Sequence, residues 1–441
     1  MLDPEVEGRS LDAQLQHDDA AFRRQIAYLF ARSPFYRRKL MEAGFKSAES
    51  VGGIENIADL PVTDKAEIRE SQKNVPPFGD HLAADPKDLM RIYSTSGTTG
   101  TPTYIAVTKN DMEVWATNTA RSYYASGFRR GQPLVVTFNA GPFVAGGAYF
   151  GFDKLGCTVI PIGLGNTERL VAALQNLGGG NAGLSCTPSY AMHLMDWCND
   201  RGIDTKSLGL RNVSVAGEPG GGDPLVRERV ESAFGCMMRE AMGTGDISTS
   251  IWGECEFGGG MHFSSRGNTF VELIDPDTRK PIPWEDGAQG EIVYTSLVRE
   301  AMPMLRLCSR DHVVVNAQPC KCGRTSHRIR CIGRTDDMLI VRGVNLFPTA
   351  IGALLEDFVP HVSGFFRIVP KKRGVSQTPP LPVSVELGQT VSEAPEGLAE
   401  KIKSAIRSKL VVTTEVTLVP YATLPRGEYK SKLVDFSKAE G

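Results

Sequence analysis

The sequence predicts an α/β protein: a large N-terminal domain of parallel sheet with flanking helices, a small β subdomain, and a small α+β C-terminal domain. Three observations carry that prediction. Between residues 133 and 243, strand-like runs alternate with amphipathic stretches of helical period, as parallel strands joined by crossover helices require. After Gly260 the texture changes to short strands separated by Asp-Pro and Gly turns, which fits a smaller β subdomain. Strands and helices then alternate again to the end of the chain, giving expected domains of 1–333 and 334–441.

Taken in order, residues 18–41 place Phe22, Ile26, Leu29 and Phe30 on one face of an amphipathic helix. Asp64, with Glu67 three residues on, reads as a helix N-cap and its reciprocal partner just past Pro61. The predicted parallel strands are 134–138, 158–162, 183–186, 213–216 and 237–242, with helices at 167–177, 189–201 and 224–234 between them. Strands 269–274 and 291–295 follow in the β subdomain. In the last unit 338–341, 365–369, 383–387 and 415–419 read as strands, 349–358 and 396–410 as helices, and 370–382 as an exposed loop rich in Lys, Arg, Gly and Pro.

Bulk properties bound the function. A net charge of −2 over 441 residues carries no polyanion-binding signature, so nucleic acid is a poor partner. No apolar run approaches the roughly 18 residues needed to span a bilayer, and Met1-Leu2-Asp3-Pro4-Glu5 lacks the basic and apolar regions of a signal peptide, so a cytoplasmic protein with no membrane partner is expected. Nine cysteines, an odd number scattered over a long chain, point to reduced thiols or metal ligands rather than a disulfide framework.

The run Tyr93-Ser94-Thr95-Ser96-Gly97-Thr98-Thr99-Gly100-Thr101-Pro102-Thr103 offers backbone amides and hydroxyls to a polyphosphate. It departs from the common nucleotide loop, because Thr101 stands where a lysine belongs. The plain alternative is a surface loop. A second constellation is Cys255 with His262, and Cys320 with Cys322: three thiolates and an imidazole make the set of four that tetrahedral zinc requires. Its alternative is buried free cysteines near an exposed histidine, and Cys308, His312, His327 and Cys331 stand as substitute ligands.

Further segments follow in order: Ala216-Gly217-Glu218-Pro219, then Met242-Gly243-Thr244-Gly245-Asp246, then the run from Met302 through Arg306 to Asp311. After these come Gly333-Arg334-Thr335-Asp336-Asp337, continuing to Pro348, and Leu424-Pro425-Arg426-Gly427-Glu428-Tyr429-Lys430. In order and spacing these resemble the adenylate-forming acyl-CoA synthetase superfamily, and within it the phenylacetate-CoA ligase-like branch of aryl-CoA ligases, from about Pro34 to Val434. Some members of that branch carry a structural zinc on a similar Glu-Cys, His and Cys-x-Cys-Gly arrangement.

The resemblance implies roles. Ser94, Thr95, Ser96, Gly97, Thr98, Thr99 and Gly100 would hold the β- and γ-phosphates of ATP and then pyrophosphate. Asp246 falls where the family carries a glutamate that helps bind Mg²⁺, a hard ion suited to oxygen ligands; its other reading is a helix N-cap. Gly217, Glu218 and Pro219, with Glu240, Ala241, Met242 and Gly243, match segments around the adenine, although Met242 offers a thioether where an aromatic ring usually stacks. Asp311 matches the aspartate that takes both ribose hydroxyls, delivered by the apolar run 302–307 from a buried strand to an edge, and Arg334 an arginine near ribose and phosphate. Lys430 matches the lysine that bridges substrate carboxylate and α-phosphate, with Lys432 competing for the role. Asp336 matches the hinge about which the mobile C-terminal domain turns between adenylation and thioester formation. The basic loop 370–382 is either solvated or a contact for the phosphates of coenzyme A.

For the acyl group, Phe138, Asn139, Ala140, Gly141, Phe143 and Gly147 match segments walling a narrow slot suited to a planar aromatic ring, with core packing as the alternative for both phenylalanines. Three functions are consistent with these motifs. An ATP-dependent aryl-CoA ligase, forming acyl-AMP and then the coenzyme A thioester, leads. The others are an adenylating enzyme serving a carrier-protein thiol or an amine, and a non-catalytic nucleotide-binding module. A homodimer is the assembly common in the branch.

Overall fold

The alternation in the sequence resolves into one long ladder of strands. The computed structural model describes residues 1–441 apart from 96–102, 142, 178, 336, 343, 373, 425–432, 438, 440 and 441. β1 (Leu89–Ser94) and β2 (Tyr104–Thr108) form an antiparallel hairpin. β3 (Pro133–Val136), β4 (Thr158–Pro161), β5 (Ala182–Cys186), β6 (Leu210–Val215) and β7 (Met237–Thr244) run parallel in the order β4-β3-β5-β6-β7.

Helices cover both faces of that parallel sheet, which is why its strands are apolar on both sides. Val135, Leu184, Cys186, Val213 and Val215 bury against Leu170, Leu174, Leu194, Val230 and Phe234 of the helices Thr167–Leu177, Pro188–Asn199 and Pro224–Phe234. Leu134 and Val136 alternate to the opposite face, against Tyr123 and Phe152 of the helices Lys109–Ala125 and Ala148–Leu155.

β8 (Ser248–Glu254), β9 (Met261–Phe263), β10 (Thr269–Ile274), β11 (Gln289–Ser296), β12 (Leu307–Asn316) and β13 (Arg328–Arg334) continue the ladder as β7-β8-β9-β13-β12-β11-β10. The β region expected after Gly260 is therefore hydrogen-bonded on to the parallel half through the β7–β8 pair, with Met242 opposite Trp252.

Three local expectations change. The helix expected over 18–41 is two, Leu11–Arg32 and Pro34–Glu42. Ser10 caps the first by accepting from the Ala13 amide, and Ser33 caps the second, whose first position is Pro34, so the chain cannot run on as one helix. Residues 302–306 are a buried turn rather than a strand, Leu307 opens β12, and Asp311 sits mid-way along β12, an interior strand of the sheet rather than its edge. The basic loop at 370–382 contains β17 (Ser376–Gln377) and the start of β18 (Leu381–Leu387). The Asp64–Glu67 capping box is formed as expected.

A second compact unit comprises residues 331–441 with 218–225 and 310–313. In it β14 (Leu339–Val341) pairs with β15 (Val344–Leu346) and with β17, while β16 (Val362–Ile368), β18 and β19 (Thr414–Val419) make a second small sheet. β18 and β19 are parallel and are joined through the helix Leu398–Leu410. Ile402 and Ile406 of that helix, and Ile351 and Leu355 of Pro348–Leu355, close a core over Val383, Val385 and Ile368. No helix among the described residues is long and apolar enough to cross a membrane.

Candidate active site and metal centre

Ser94, Thr95 and Thr103, the described residues of the Ser/Thr/Gly run, belong to the ends of the hairpin strands. Ser94 faces Tyr104 in register and the Thr95 amide donates to the Thr103 carbonyl at 3.0 Å, so the strands close just before the loop. Ser94 is buried and makes a parallel bridge with Phe143, which brings the base of the run against the segment expected to wall the acyl site. Below it Tyr93 stacks on Trp115, with centroids 5.7 Å apart. Ser96, Gly97, Thr98, Thr99 and Gly100 lie outside the described residues, as do Asp336, Lys430 and Lys432.

The carboxyl ends of parallel strands are where an open α/β sheet binds ligands, and the expected acyl and adenine segments start there. Phe138 follows β3, Thr187 follows β5 and Gly217 follows β6; a Cβ on Gly217, whose φ is +93°, would lie 3.9 Å from both the Phe138 ring and the Thr187 methyl. Gly146 and Gly147 are placed far more tightly: a Cβ would come within 2.7 Å of the Ala140 carbonyl oxygen in the first case and 3.0 Å of the Trp115 ring in the second. Phe138 is buried in the core with Tyr149 and Phe152, so it both packs the domain and faces Gly217. Asn139 is exposed and its Oδ1 accepts from the Leu164 amide at 3.3 Å, a turn-holding bond the sequence did not reveal. Ala140 and Gly141 are exposed and Phe143 is half-buried.

At β7, Glu240 and Ala241 are buried, Met242 is half-buried and Gly243 exposed. A Cβ on Gly243 would meet the Thr249 carbonyl oxygen at 2.2 Å, so only glycine lets the β7–β8 turn fold back this closely. That turn carries Asp246 into the protein, where it is 2 % exposed. Its Oδ2 accepts from Lys65 Nζ at 2.7 Å, while Oδ1 is buried with no hydrogen-bond partner among the described residues. Arg299 Nη1 donates to the Asp246 carbonyl at 2.5 Å, and the fully buried His81 lies in the same field. Burial pushes the Asp246 carboxyl up, but Lys65, with Arg299 behind it, more than offsets this and holds it below the ordinary value. His81 is pushed down to about 4 by burial and is neutral. The N-cap alternative for Asp246 fails, because β8 rather than a helix follows. Lys65, Arg299 and His81 were missed: Lys65 reads as the first residue of a capped helix, and nothing local ties it to a residue 181 positions away.

In the second unit Asp311 and Arg334 pair with each other, Nη1 to Oδ1 at 3.1 Å, with the carboxylate mostly buried and the guanidinium more open. Glu218 is half-buried and Pro219 exposed there.

The four expected metal ligands do converge. Cys255 Sγ, His262 Nε2, Cys320 Sγ and Cys322 Sγ can all lie within 4.8 Å of one another, with Cys255 Sγ 3.6 Å from Cys320 Sγ and Cys322 Sγ 3.4 Å from His262 Nε2. A tetrahedral ion with metal–sulfur bonds of about 2.3 Å spaces its donors by about 3.5–3.8 Å, so the set fits one. His262 Nδ1 lies 3.3 Å from the Ser326 carbonyl; its N–H donates there, which leaves Nε2 as the free lone pair aimed at the other three groups. Hydrogen bonding to Cys322 holds the proton on Cys255, and the same bond with His262 draws Cys322 toward the thiolate a metal requires.

Comparison with known proteins identifies the chain. It is 36% identical to the phenylacetate-coenzyme A ligase of Thermus thermophilus across 97% of both chains. The chain belongs to the phenylacetate-CoA ligase family. The ligase of that name from Pseudomonas putida is 32% identical over 98% of this chain and 95% of its own. Residues 343–436 match the AMP-binding enzyme C-terminal domain family. A 2-hydroxyisobutyryl-CoA ligase structure in the postadenylation state superimposes with a TM-score of 0.89 at 28% identity, over 99% of this chain and 92% of the other. Among the three functions open to the sequence, membership selects an AMP-forming CoA ligase that works through an acyl-adenylate, with ATP, an acid and coenzyme A as its small-molecule partners.

Proposed function

We propose that this CoA ligase activates an aromatic carboxylic acid, phenylacetate-like or benzoate-like, as its acyl-AMP and passes the acyl group to coenzyme A. The supporting observation is the convergence of Phe138, Thr187 and Gly217 at the carboxyl ends of three parallel strands, where an open α/β sheet binds ligands, with a flat ring facing a backbone that carries no side chain. The names of the two relatives point to the same class of acid.

In this reading the acid's carboxylate attacks the α-phosphorus and pyrophosphate leaves toward Ser94 and Thr95 with the loop 96–100. Lys430 holds the two reacting anions together, Asp311 takes the ribose hydroxyls and Arg334 assists at the phosphate. Asp246 Oδ1 is the oxygen on which Mg²⁺ would sit, because it is buried and unclaimed while Oδ2 is held by Lys65; the ion supplies charge neutralisation for the polyphosphate. Zinc is the ion we assign to Cys255, His262, Cys320 and Cys322, with a structural role, since four protein ligands leave no open position. Asp336 serves as the hinge of a C-terminal domain spanning 334–441.

A second reading has its own support: the likeness to a ligase of 2-hydroxyisobutyryl groups favours a small branched hydroxy acid. Pyrophosphate release on adding ATP with phenylacetate, benzoate or 2-hydroxyisobutyrate, each with and without coenzyme A, separates the two. The aromatic reading requires the highest kcat/KM for an aromatic acid and AMP formation that depends on coenzyme A; preference for 2-hydroxyisobutyrate overturns it.

A further inference from the structure

A cavity of about 250 Å³ opens between the helix Leu11–Arg32 and the antiparallel part of the sheet, lined by none of the residues assigned above to nucleotide, acyl group or metal. Its walls are aromatic. Trp284 stacks between Trp252, 6.4 Å away at 28°, and His327, 5.9 Å away at 9°; Phe263 packs 4.8 Å from Trp252.

Polar groups interrupt this lining, among them Gln14, Asp18, Arg266 and Ser326. Asp18 is 6% exposed; its Oδ1 accepts from Gln14 Nε2 at 2.7 Å, and Oδ2 has no hydrogen-bond partner among the described residues. Arg266 tempers the charge of Asp18 without meeting that oxygen, since its Nη atoms are committed to the carbonyls of Glu7, Arg9 and Ser10 and to Thr325 Oγ1. Asp18 lines the cavity, so this oxygen is an acceptor open to an occupant, and a slot of aromatic walls with a few polar groups is the usual form of a small-molecule site, here just below the roughly 300–1,000 Å³ of drug-sized ones.

We propose that this cavity binds a small uncharged planar aromatic molecule of one or two rings bearing a single N–H or O–H donor, the ring lodged among Phe263, Phe270 and the edge of Trp284 and the donor on Asp18 Oδ2. An aromatic carboxylate, the substrate class proposed above, is excluded because it would set one anion against another. The site is tied to the metal centre: the Ser326 carbonyl holds His262 and Ser326 Oγ accepts from the Phe263 amide, while Phe263, Ser326 and His327 all line the cavity.

The test uses full-length protein labelled with 5-fluorotryptophan, its signals assigned by single Trp→Phe variants, and titrated with indole. The Trp252 and Trp284 signals shift saturably while Trp115, stacked beside the nucleotide loop, and Trp197 stay fixed. Asp18→Ala weakens that binding at least tenfold and leaves ligase turnover unchanged. If Asp18→Ala does not fold, Leu15→Trp, which fills the exposed mouth of the cavity, abolishes the shift. The proposal is overturned by no saturable shift up to the solubility of indole, by equal affinity in these variants, or by probe-free shifts that grow with protein concentration as a dimer forms, which would mean that a second copy of the chain covers the cavity.

Discussion

Lys65→Met tests whether the buried carboxylate of Asp246 depends on one distant cation. Asp246 is 2% exposed and Lys65 Nζ approaches its Oδ2 at 2.7 Å. Removing one member of a buried pair costs about 3–5 kcal/mol, because the other charge stays desolvated. The Lys65 side chain is 32% exposed, so water enters as it leaves, and Arg299 remains nearby; the expected loss is therefore about 2–3 kcal/mol at neutral pH. The sign with pH is definite. In the wild type the Asp246 carboxyl is held below its unfolded value, so it contributes stability that is present above about pH 4 and is lost as pH falls through the folded value. Without Lys65, burial, the largest influence on this group, dominates and the folded value rises above the unfolded one. The carboxylate then costs stability at neutral pH and ceases to do so as it protonates. Urea unfolding of both proteins across this range should show a gap widest near pH 7 that closes toward pH 4, and the double variant Lys65→Met/Asp246→Asn should regain most of the loss. A gap independent of pH, or a double variant no more stable than Lys65→Met alone, refutes the assignment.

Lys430→Ala should reduce adenylation by at least about 10²–10³-fold, the scale of a lost transition-state donor, while a supplied acyl-adenylate is still converted to thioester; single-turnover assays of each half-reaction decide it. Asp336→Pro fixes a backbone angle and should slow thioester formation more than adenylation in the same assays. Elemental analysis of purified protein should find one zinc per chain, lost in Cys320→Ser; chelation should lower the thermal midpoint and expose the Cys255 thiol to alkylation. Gly243→Ala places a methyl 2.2 Å from the Thr249 carbonyl oxygen, so it should destabilise by about 1–3 kcal/mol and depress adenylation through the turn that carries Asp246.

What the sequence made legible is what local pattern encodes. The helices Thr167–Leu177 and Pro224–Phe234 and the strand Thr269–Ile274 fall on their predicted bounds, since apolar periodicity and flanking breakers are short-range signals. The split at Ser33-Pro34 was also local, and was passed over because apolar spacing continues across it. The convergence of Cys255, His262, Cys320 and Cys322 was legible because three thiols and an imidazole together match the donor set of a tetrahedral metal. The apolar run 302–307 reads as a buried strand in the sequence, and that reading puts Asp311 at an edge. In fact Arg306, within that run, is buried against Glu272 at 2.9 Å and against the carbonyls of Ala58 and Leu60, which holds the run as a turn.

The features that escaped are contacts between residues far apart in sequence, and they share a design. Lys65 meets Asp246, Tyr36 Oη accepts from the Leu305 amide, and Arg324 Nε donates to Glu7 at 2.5 Å, across separations of 181, 269 and 317 residues. In each, a residue of the N-terminal helices or their flanks meets a turn that carries groups proposed above to function: the Asp246 turn, the approach to β12, and the segment bearing Cys320 and Cys322. Closing a long loop costs only about 0.6 kcal/mol more for each doubling of its length, so such distant ties are cheap relative to the hydrogen bonds they form, two of the three between charged groups. No helical period or strand alternation records them, because the partner's identity is set by the folded path and not by its neighbours. Thus the N-terminal helices, which contribute none of the motifs by which the family is recognised, position several of the turns on which those motifs depend, and substitutions at Glu7, Tyr36 or Lys65 should act on the site without touching its ligands.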